Sequence, residues 1–126
     1  IDHIEISVKN ANLSCSFYQQ ILAPLGFQLV ITVDPSKTLT GGIRHGLGPN
    51  RYPRLWLHDN DEVSSPIHIA FSTDKRTVVD QFWEAALQAG GQDNGAPGIR
   101  PHYHAHYYAA YILDLDGNNI EVVCQA

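Results

Sequence analysis

Two histidines and one glutamate, His3, His68 and Glu121, have the residue types and settings to do chemistry in this sequence. Each lies in a stretch where apolar and polar residues alternate, the period of a β-strand with one covered face. Ile4, Ile6 and Val8 share one side of the first stretch and His3, Glu5 and Ser7 the other. In the second, Ile67, Ile69 and Phe71 oppose His68, Ala70 and Ser72. In the last, Ile120, Val122 and Cys124 alternate with Glu121, Val123 and Gln125. Two imidazoles and a carboxylate form a three-ligand set that leaves two or three positions of an octahedral ion open to water and substrate, which suits Zn, Ni, Mn or Fe as a single divalent ion. A single histidine on a strand face reads equally as a solvated residue; what couples these two is an internal repeat.

Segments 2–26 and 67–91 align without gaps at the 65-residue separation of His3 and His68. Ile4 matches Ile69, Ser7 matches Ser72, Phe17 matches Phe82, Tyr18 matches Trp83, Leu22 matches Leu87 and Gly26 matches Gly91. Each copy opens with a strand and continues into a helix. Leu13, Phe17, Ile21 and Leu25 mark the helix of the first copy, and Val78, Phe82 and Ala86 that of the second, with Gly26 and Gly90-Gly91 as stops. Three further strands are expected in each copy: near Gln28 to Val33, Leu39 to Gly46 and Arg54 to His58, then near Gly91 to Asn94, His106 to Asp114 and Asn118 to Gln125. A tight turn at Asp116-Gly117-Asn118 joins the last two strands. The expected fold is α+β: two βαβββ modules, about residues 1–60 and 65–126 of a single domain, forming a curved mixed sheet around a metal-binding cavity.

Composition narrows the partners. With 8 basic against 13 acidic residues and a net charge of −5, the chain lacks the cationic footprint that nucleic acid or an anionic membrane requires. No apolar run is long enough to span a bilayer and the first residues do not resemble a secretion signal, so a cytoplasmic protein acting on a small molecule is expected. Cys15 and Cys124 read as reduced, buried thiols rather than a disulfide framework.

The opening Ile-Asp-His-Ile-Glu-Ile-Ser-Val, Phe17-Tyr18 with Leu22-Ala23-Pro24-Leu25-Gly26, the strand Ile67 to Phe71 and the closing Asp114-Leu115-Asp116-Gly117-Asn118-Asn119-Ile120-Glu121-Val122-Val123 together resemble the vicinal oxygen chelate superfamily, the glyoxalase, bleomycin-resistance and extradiol-dioxygenase group. The closing stretch is similar to that family's Asp-Pro-Asp-Gly turn and metal-binding Glu, with Leu115 in place of Pro. The resemblance implies His3, His68 and Glu121 as metal ligands, with the ion acting as Lewis acid on a substrate bound through its oxygens. It also implies a fourth ligand in glyoxalase I, a Glu at the position held here by Trp56. Indole cannot ligate, so a typical glyoxalase I is not expected; a lyase, dioxygenase or transferase of the group is.

Around this centre, Glu5 lies two residues from His3, about 7 Å along the same strand face, as a general base or an orienting partner. Tyr111 is the expected proton or hydrogen-bond donor to a bound oxyanion. Tyr107 shares its face, while Tyr108, Ala110 and Ile112 face the core. Arg44 is a candidate clamp for an anionic substrate and Trp56 a candidate substrate contact. His102, His104 and His106 follow Pro97, Gly98 and Pro101 and fall on a rim loop, where Tyr103 or His104 would serve a lid. The expected assembly is a homodimer, within which His3 would meet His68 and Glu121 of its own chain or of the other copy. The competing function is a metal-free, drug-sequestering binding protein whose aromatic residues Trp56, Tyr107 and Tyr111 hold a flat ligand.

Overall fold

The computed structural model describes residues 1–39, 41–59 and 62–126. The chain divides into two compact units, Ile1–Ser65 and Pro66–Ala126, each a four-stranded mixed sheet with one long helix. The first unit runs β1 (Ile4–Ser7), α1 (Ala11–Leu22), β2 (Gln28–Val33), β3 (Arg44–Gly48) and β4 (Leu55–His58), in the sheet order β1-β4-β3-β2. The second runs β5 (His68–Thr73), α2 (Arg76–Gln88), β6 (Gln92–Ile99), β7 (Tyr108–Leu113) and β8 (Asn119–Cys124), in the order β5-β8-β7-β6. In each unit the first and last strands pair in parallel and the rest antiparallel. The repeat therefore extends beyond the segments that align by sequence: Tyr111 pairs with Glu121 as Gly46 pairs with Trp56, and Ala70 pairs with Glu121 as Glu5 pairs with Trp56. Among the described residues no helix is long and apolar enough to cross a membrane.

Each helix covers one face of its own sheet. Asn10 caps α1 by accepting from the Leu13 N–H at 3.0 Å. Asp59 accepts from the N–H groups of Ala11 and Ile43, both at 3.0 Å, so one carboxylate ties the start of α1 to the approach of β3. The core of the first unit is built from Phe17, Tyr18, Ile21 and Leu22 against Ile6, Val8, Leu47, Leu55 and Leu57. In the second, Val78, Val79, Phe82 and Ala86 lie with Ile69, Ala110, Ile112, Ile120 and Val122. Leu13, expected on the core stripe, is 61% exposed. A four-residue step overshoots a helical turn by about 40°, so a stripe drawn through three such steps drifts off the face that α1 buries. Cys15 and Cys124 are buried free thiols.

Two strand boundaries differ from expectation for local reasons. The strand expected from Leu39 begins at Arg44, because a short 3-10 turn (Pro35–Lys37), the Thr38 hydroxyl donating to the Gly42 carbonyl at 2.7 Å and the left-handed Gly41 shape this stretch as a loop. Thr40 of that expected strand lies outside the described residues. Conversely β6 runs past Asn94 to Ile99 despite Pro97. It is an edge strand with register breaks on both sides of Gly95, where a proline lacking its N–H is tolerated.

Candidate functional site

The second unit carries the denser polar group, and its position depends on the turn before β8. The buried Asp114 carboxylate accepts from the N–H groups of Asp116 and Asn118 and from the Asn118 amide, at 2.8 to 2.9 Å. Asn118 in turn accepts from the Ile67 N–H at 3.0 Å, which sets β5 against β8. From this anchor, alternation along β8 sends Asn119 and Glu121 to one face while Ile120 and Val122 enter the core. Register then places His68 beside Asn119 and Tyr111 beside Glu121.

Glu121 is 3% exposed and its two oxygens are both engaged. Oε1 lies 2.9 Å from His68 Nε2, and Oε2 accepts from the Tyr107 hydroxyl at 2.5 Å, a short charge-assisted bond. The other ring nitrogen of His68, Nδ1, is 2.8 Å from Asn119 Nδ2, and Asn94 Nδ2 donates to Asn119 Oδ1 at 3.2 Å. Tyr111 meets the His68 ring edge-on, 6.3 Å between centroids. Burial first, and then the Glu121 carboxylate, push the Tyr111 hydroxyl up to about 12 and raise Tyr107 for the same two reasons. Both phenols therefore stay protonated at neutral pH and act as hydrogen-bond donors.

Tyr111 is held from two sides. The Arg100 guanidinium lies 5.3 Å from its ring centroid, fixed by donating to the carbonyls of Ala96 and Gly98 at 2.8 and 2.9 Å. On the neighbouring strand Gly95 has φ +148°, and a Cβ there would stand 2.8 Å from Tyr111 Cδ1 and 3.2 Å from Arg100 Nη2. Gly95→Ala is thus expected to displace the Tyr111 ring and to cost about 1 to 3 kcal/mol through the strained backbone conformation. A thermal melt together with the Tyr111 ring resonances checks this, and an unchanged Tyr111 environment would refute it.

In the first unit His3 stands just before β1, and its Nδ1 is 2.7 Å from the Asp2 carboxylate. Asp2 also accepts from the Tyr52 hydroxyl at 2.9 Å, and these two bonds, the His3 one foremost, hold its carboxyl below the usual carboxylate range. A carboxylate on Nδ1 orients the ring and directs Nε2 outward, the arrangement common behind ligating histidines. Glu5, expected as a base or an orienting partner, is paired with Arg44, which donates from Nε and Nη2 to its two oxygens at 2.8 and 3.2 Å. The same guanidinium lies 4.6 Å over the Trp56 ring.

Trp56 occupies the register position that Glu121 holds in the second unit, and Gly46 the position of Tyr111. The exchange is one of volume: a Cβ on Gly46 would come 3.0 Å from Trp56 Cζ3, so the indole fits because its cross-strand neighbour has no side chain. The loop before β7 holds the histidine cluster. His104 is engaged at both nitrogens, by Gln125 at 2.9 Å and the His106 N–H at 3.1 Å, and Tyr103 packs against Tyr107 with centroids 4.7 Å apart.

Asn119 is the site residue least evident beforehand, although strand alternation does put it on the face of Glu121. Arg100 and Asn94 carry no such signal, since their contacts arise from bulges in β6. Within each unit, among the described residues, no group of three or more His, Cys, Asp or Glu side chains is placed to hold an ion. The donor pair in the second unit nevertheless has the right chemistry. Two neighbouring ligands about 2.1 Å from an ion and at a right angle to each other are about 3 Å apart, and His68 Nε2 and Glu121 Oε1 are separated by 2.9 Å.

The sequence profile of the Glyoxalase/Bleomycin resistance protein/Dioxygenase superfamily matches residues 1–122. No curated protein matches by sequence. Among solved structures, a glyoxalase/bleomycin resistance protein from Albidiferax ferrireducens T118 superposes with a TM-score of 0.74 at 21% identity, over 100% of this chain and 98% of that one. A glyoxylase/bleomycin resistance protein/dioxygenase domain from Frankia sp. EAN1pec gives 0.77 at 16% identity, over 100% and 97%. Glyoxalase I from Zea mays gives 0.73 at 20% identity, covering 98% of this chain but 45% of the maize protein. At these identities the likeness is one of fold.

Proposed function

Because the chain belongs to the Glyoxalase/Bleomycin resistance protein/Dioxygenase superfamily, we propose that it is a divalent-metal-dependent enzyme, a cytoplasmic homodimer, with His3, His68 and Glu121 as metal ligands. The observation that carries this reading is the convergence of His68 Nε2 and the buried Glu121 carboxylate at the spacing of neighbouring ligands. The Asp2 carboxylate behind His3 supports it, since it steadies that ring through Nδ1, and the Asn119 amide meets His68 at Nδ1 while its Nε2 faces Glu121. When bound, the ion supplies Lewis acidity to an oxygen of a small substrate.

The chain's own residues do the rest. Tyr107 holds Glu121 in place through its 2.5 Å bond, and Tyr111, kept protonated, donates to a substrate oxygen. Trp56 and the Arg44 guanidinium stacked on it offer a flat, cationic surface to the substrate. With indole where glyoxalase I carries a ligating Glu, the reading is not that of a typical glyoxalase I.

Metal analysis tests the proposal directly. Protein purified without a histidine tag and incubated with Mn, Fe, Ni and Zn is expected to retain close to one ion per chain, and retention below about a tenth of an equivalent of every metal would overturn it. The second reading, a metal-free binder of flat ligands, draws on the Arg44–Trp56 stack and would then stand.

Arg44 provides a separate expectation. Two of its N–H groups are committed to Glu5, so an anionic ligand must compete with that carboxylate. Arg44→Ala is expected to weaken a carboxylate ligand found by screening by about tenfold, about 1.4 kcal/mol, with metal content unchanged, and Glu5→Gln to strengthen it. Titration of the ligand against both variants decides, and equal affinity for Arg44→Ala and the parent protein would assign Arg44 a structural role.

A further inference from the structure

We propose that Arg100 anchors a carboxylate of the substrate, so that the second unit takes a short organic acid reaching from Arg100 past Tyr111 toward His68 and Glu121. The inference deepens the reading above and rests on it only for where the far end of the ligand is held.

Arg100 follows directly on β6, and its backbone N–H donates to the Tyr107 carbonyl at 2.7 Å, which fixes the residue against the start of β7. From there the half-buried side chain folds back over its own strand. Nη1 and Nη2 donate to the carbonyls of Gly98 and Ala96 at 2.9 and 2.8 Å. Two glycines make room for it: a Cβ on Gly98 would stand 3.2 Å from Nη1, and one on Gly95 3.2 Å from Nη2. The guanidinium is thereby held on the sheet face that carries Tyr111, 5.3 Å from that ring's centroid.

Its charge is not offset locally. No ion pair joins Arg100 to a carboxylate among the described residues, whereas Arg44 is committed to Glu5. The acid on the same strand, Asp93, is turned toward α2, where the Trp83 indole N–H donates to it at 3.0 Å. The other basic residues of the second unit, Lys75 and Arg76, stand at the start of α2, and Arg76 lies 5.0 Å over the ring of Tyr108 on the opposite face. Arg100 is thus the cation of the site face. Of a guanidinium's five N–H groups, two go to the carbonyls and the others are left for a ligand. A planar carboxylate matches such a fork through two parallel bonds. A chain of net charge −5 repels anions at long range, so an anionic ligand needs a local cation of this kind to be held.

Register sets the length of that ligand. Gly95 pairs with Tyr111 and Tyr111 with Glu121, so β6 and β8 are two strand spacings apart, about 10 Å. A molecule that meets both Arg100 and the neighbourhood of Glu121 is about one benzene ring long with a polar group at each end.

Two probes of that size read the charge. 4-Hydroxybenzoate and 4-hydroxybenzamide share a ring and a hydroxyl and differ in charge at the other end. NMR titration of metal-free protein is expected to show the acid binding about tenfold more tightly than the amide, the scale of a charged hydrogen bond. The acid is also expected to shift the Tyr111 and His68 ring resonances. Arg100→Gln is expected to lower affinity for the acid by about tenfold and leave the amide within about twofold, abolishing the preference. A role confined to bracing β6 and Tyr111 would weaken both probes alike. Should Arg100→Gln unsettle β6, the Arg100 Nε–H resonance of the parent protein, assigned by its loss in Arg100→Lys, is expected to move with the acid and not with the amide.

Equal weakening of the two probes would overturn the anchor. So would a parent protein that does not prefer the acid, an Arg100 resonance that the acid leaves in place, or unmoved Tyr111 and His68 resonances. Metal retention is measured separately, so a failed metal site gives a different result: protein that retains no ion but keeps the acid preference loses the ligand set and not the anchor.

Discussion

Asp114→Ala is expected to lower stability by about 3 kcal/mol and the melting temperature by roughly 10 °C. The carboxylate is buried and accepts three bonds at 2.8 to 2.9 Å, two from backbone N–H groups and one from the buried Asn118 amide. Alanine leaves those donors without partners. An unsatisfied buried polar group costs about 1 to 3 kcal/mol, and partial entry of water keeps the total below the sum for three. Because Asn118 also holds the Ile67 N–H, the loss spreads to the start of β5 and to His68. Asp114→Asn keeps one acceptor oxygen and is expected to cost less than half as much. Calorimetric melts of the two variants check this, and an alanine variant melting within a degree or two of the parent protein would show that the turn is held by other means.

Glu121→Gln is expected to abolish useful metal binding while leaving the fold as stable as before or slightly more so. The substitution preserves shape and an oxygen for the Tyr107 hydroxyl, but removes the negative charge on which the proposed ligand role of Glu121 depends. Loss of a carboxylate ligand is expected to weaken zinc by about a hundredfold or more, about 2.7 kcal/mol. Stability should move little, because a buried charge pays desolvation that a neutral isostere avoids. Zinc competition against a chelating dye, with a melt of the same sample, separates the two effects. Parent-like zinc affinity in Glu121→Gln would remove Glu121 from the ligand set, and a large fall in melting temperature would make the residue chiefly structural.

Much of the fold is legible in the residues because its signals are local. Alternation identifies β2 to both ends, Gln28–Val33, and the 65-residue repeat anticipates that both units share one strand order. It also sorts three neighbouring tyrosines. Tyr107 and Tyr111 lie on the side of Glu121, while the Tyr108 hydroxyl reaches Asp80 of α2 at 2.5 Å. Period-two patterning suffices for this, since a strand side chain has only two directions available. The choice of His68 and Glu121 as a pair follows the same rule, and the structure brings them to 2.9 Å.

What alternation does not contain is which side chain on a face meets which. That is a matter of register between strands distant in sequence, and of bulges that break the period. Glu5 is separated by 39 residues from Arg44, and their mutual engagement depends on the pairing of β1 with β4 and β4 with β3. Asn119 reaches His68 across 51 residues, and Arg100 lies over Tyr111 because β6 is irregular around Gly95. Leu13 left the core because the buried face of α1 is chosen by the sheet beneath it, not by leucine spacing. The amino-acid sequence by itself determined the repeat, the elements and the faces on which the candidate site residues stand. Only tertiary structure decided their partners, because partnership depends on strand register and close packing, which are set when the sheets form.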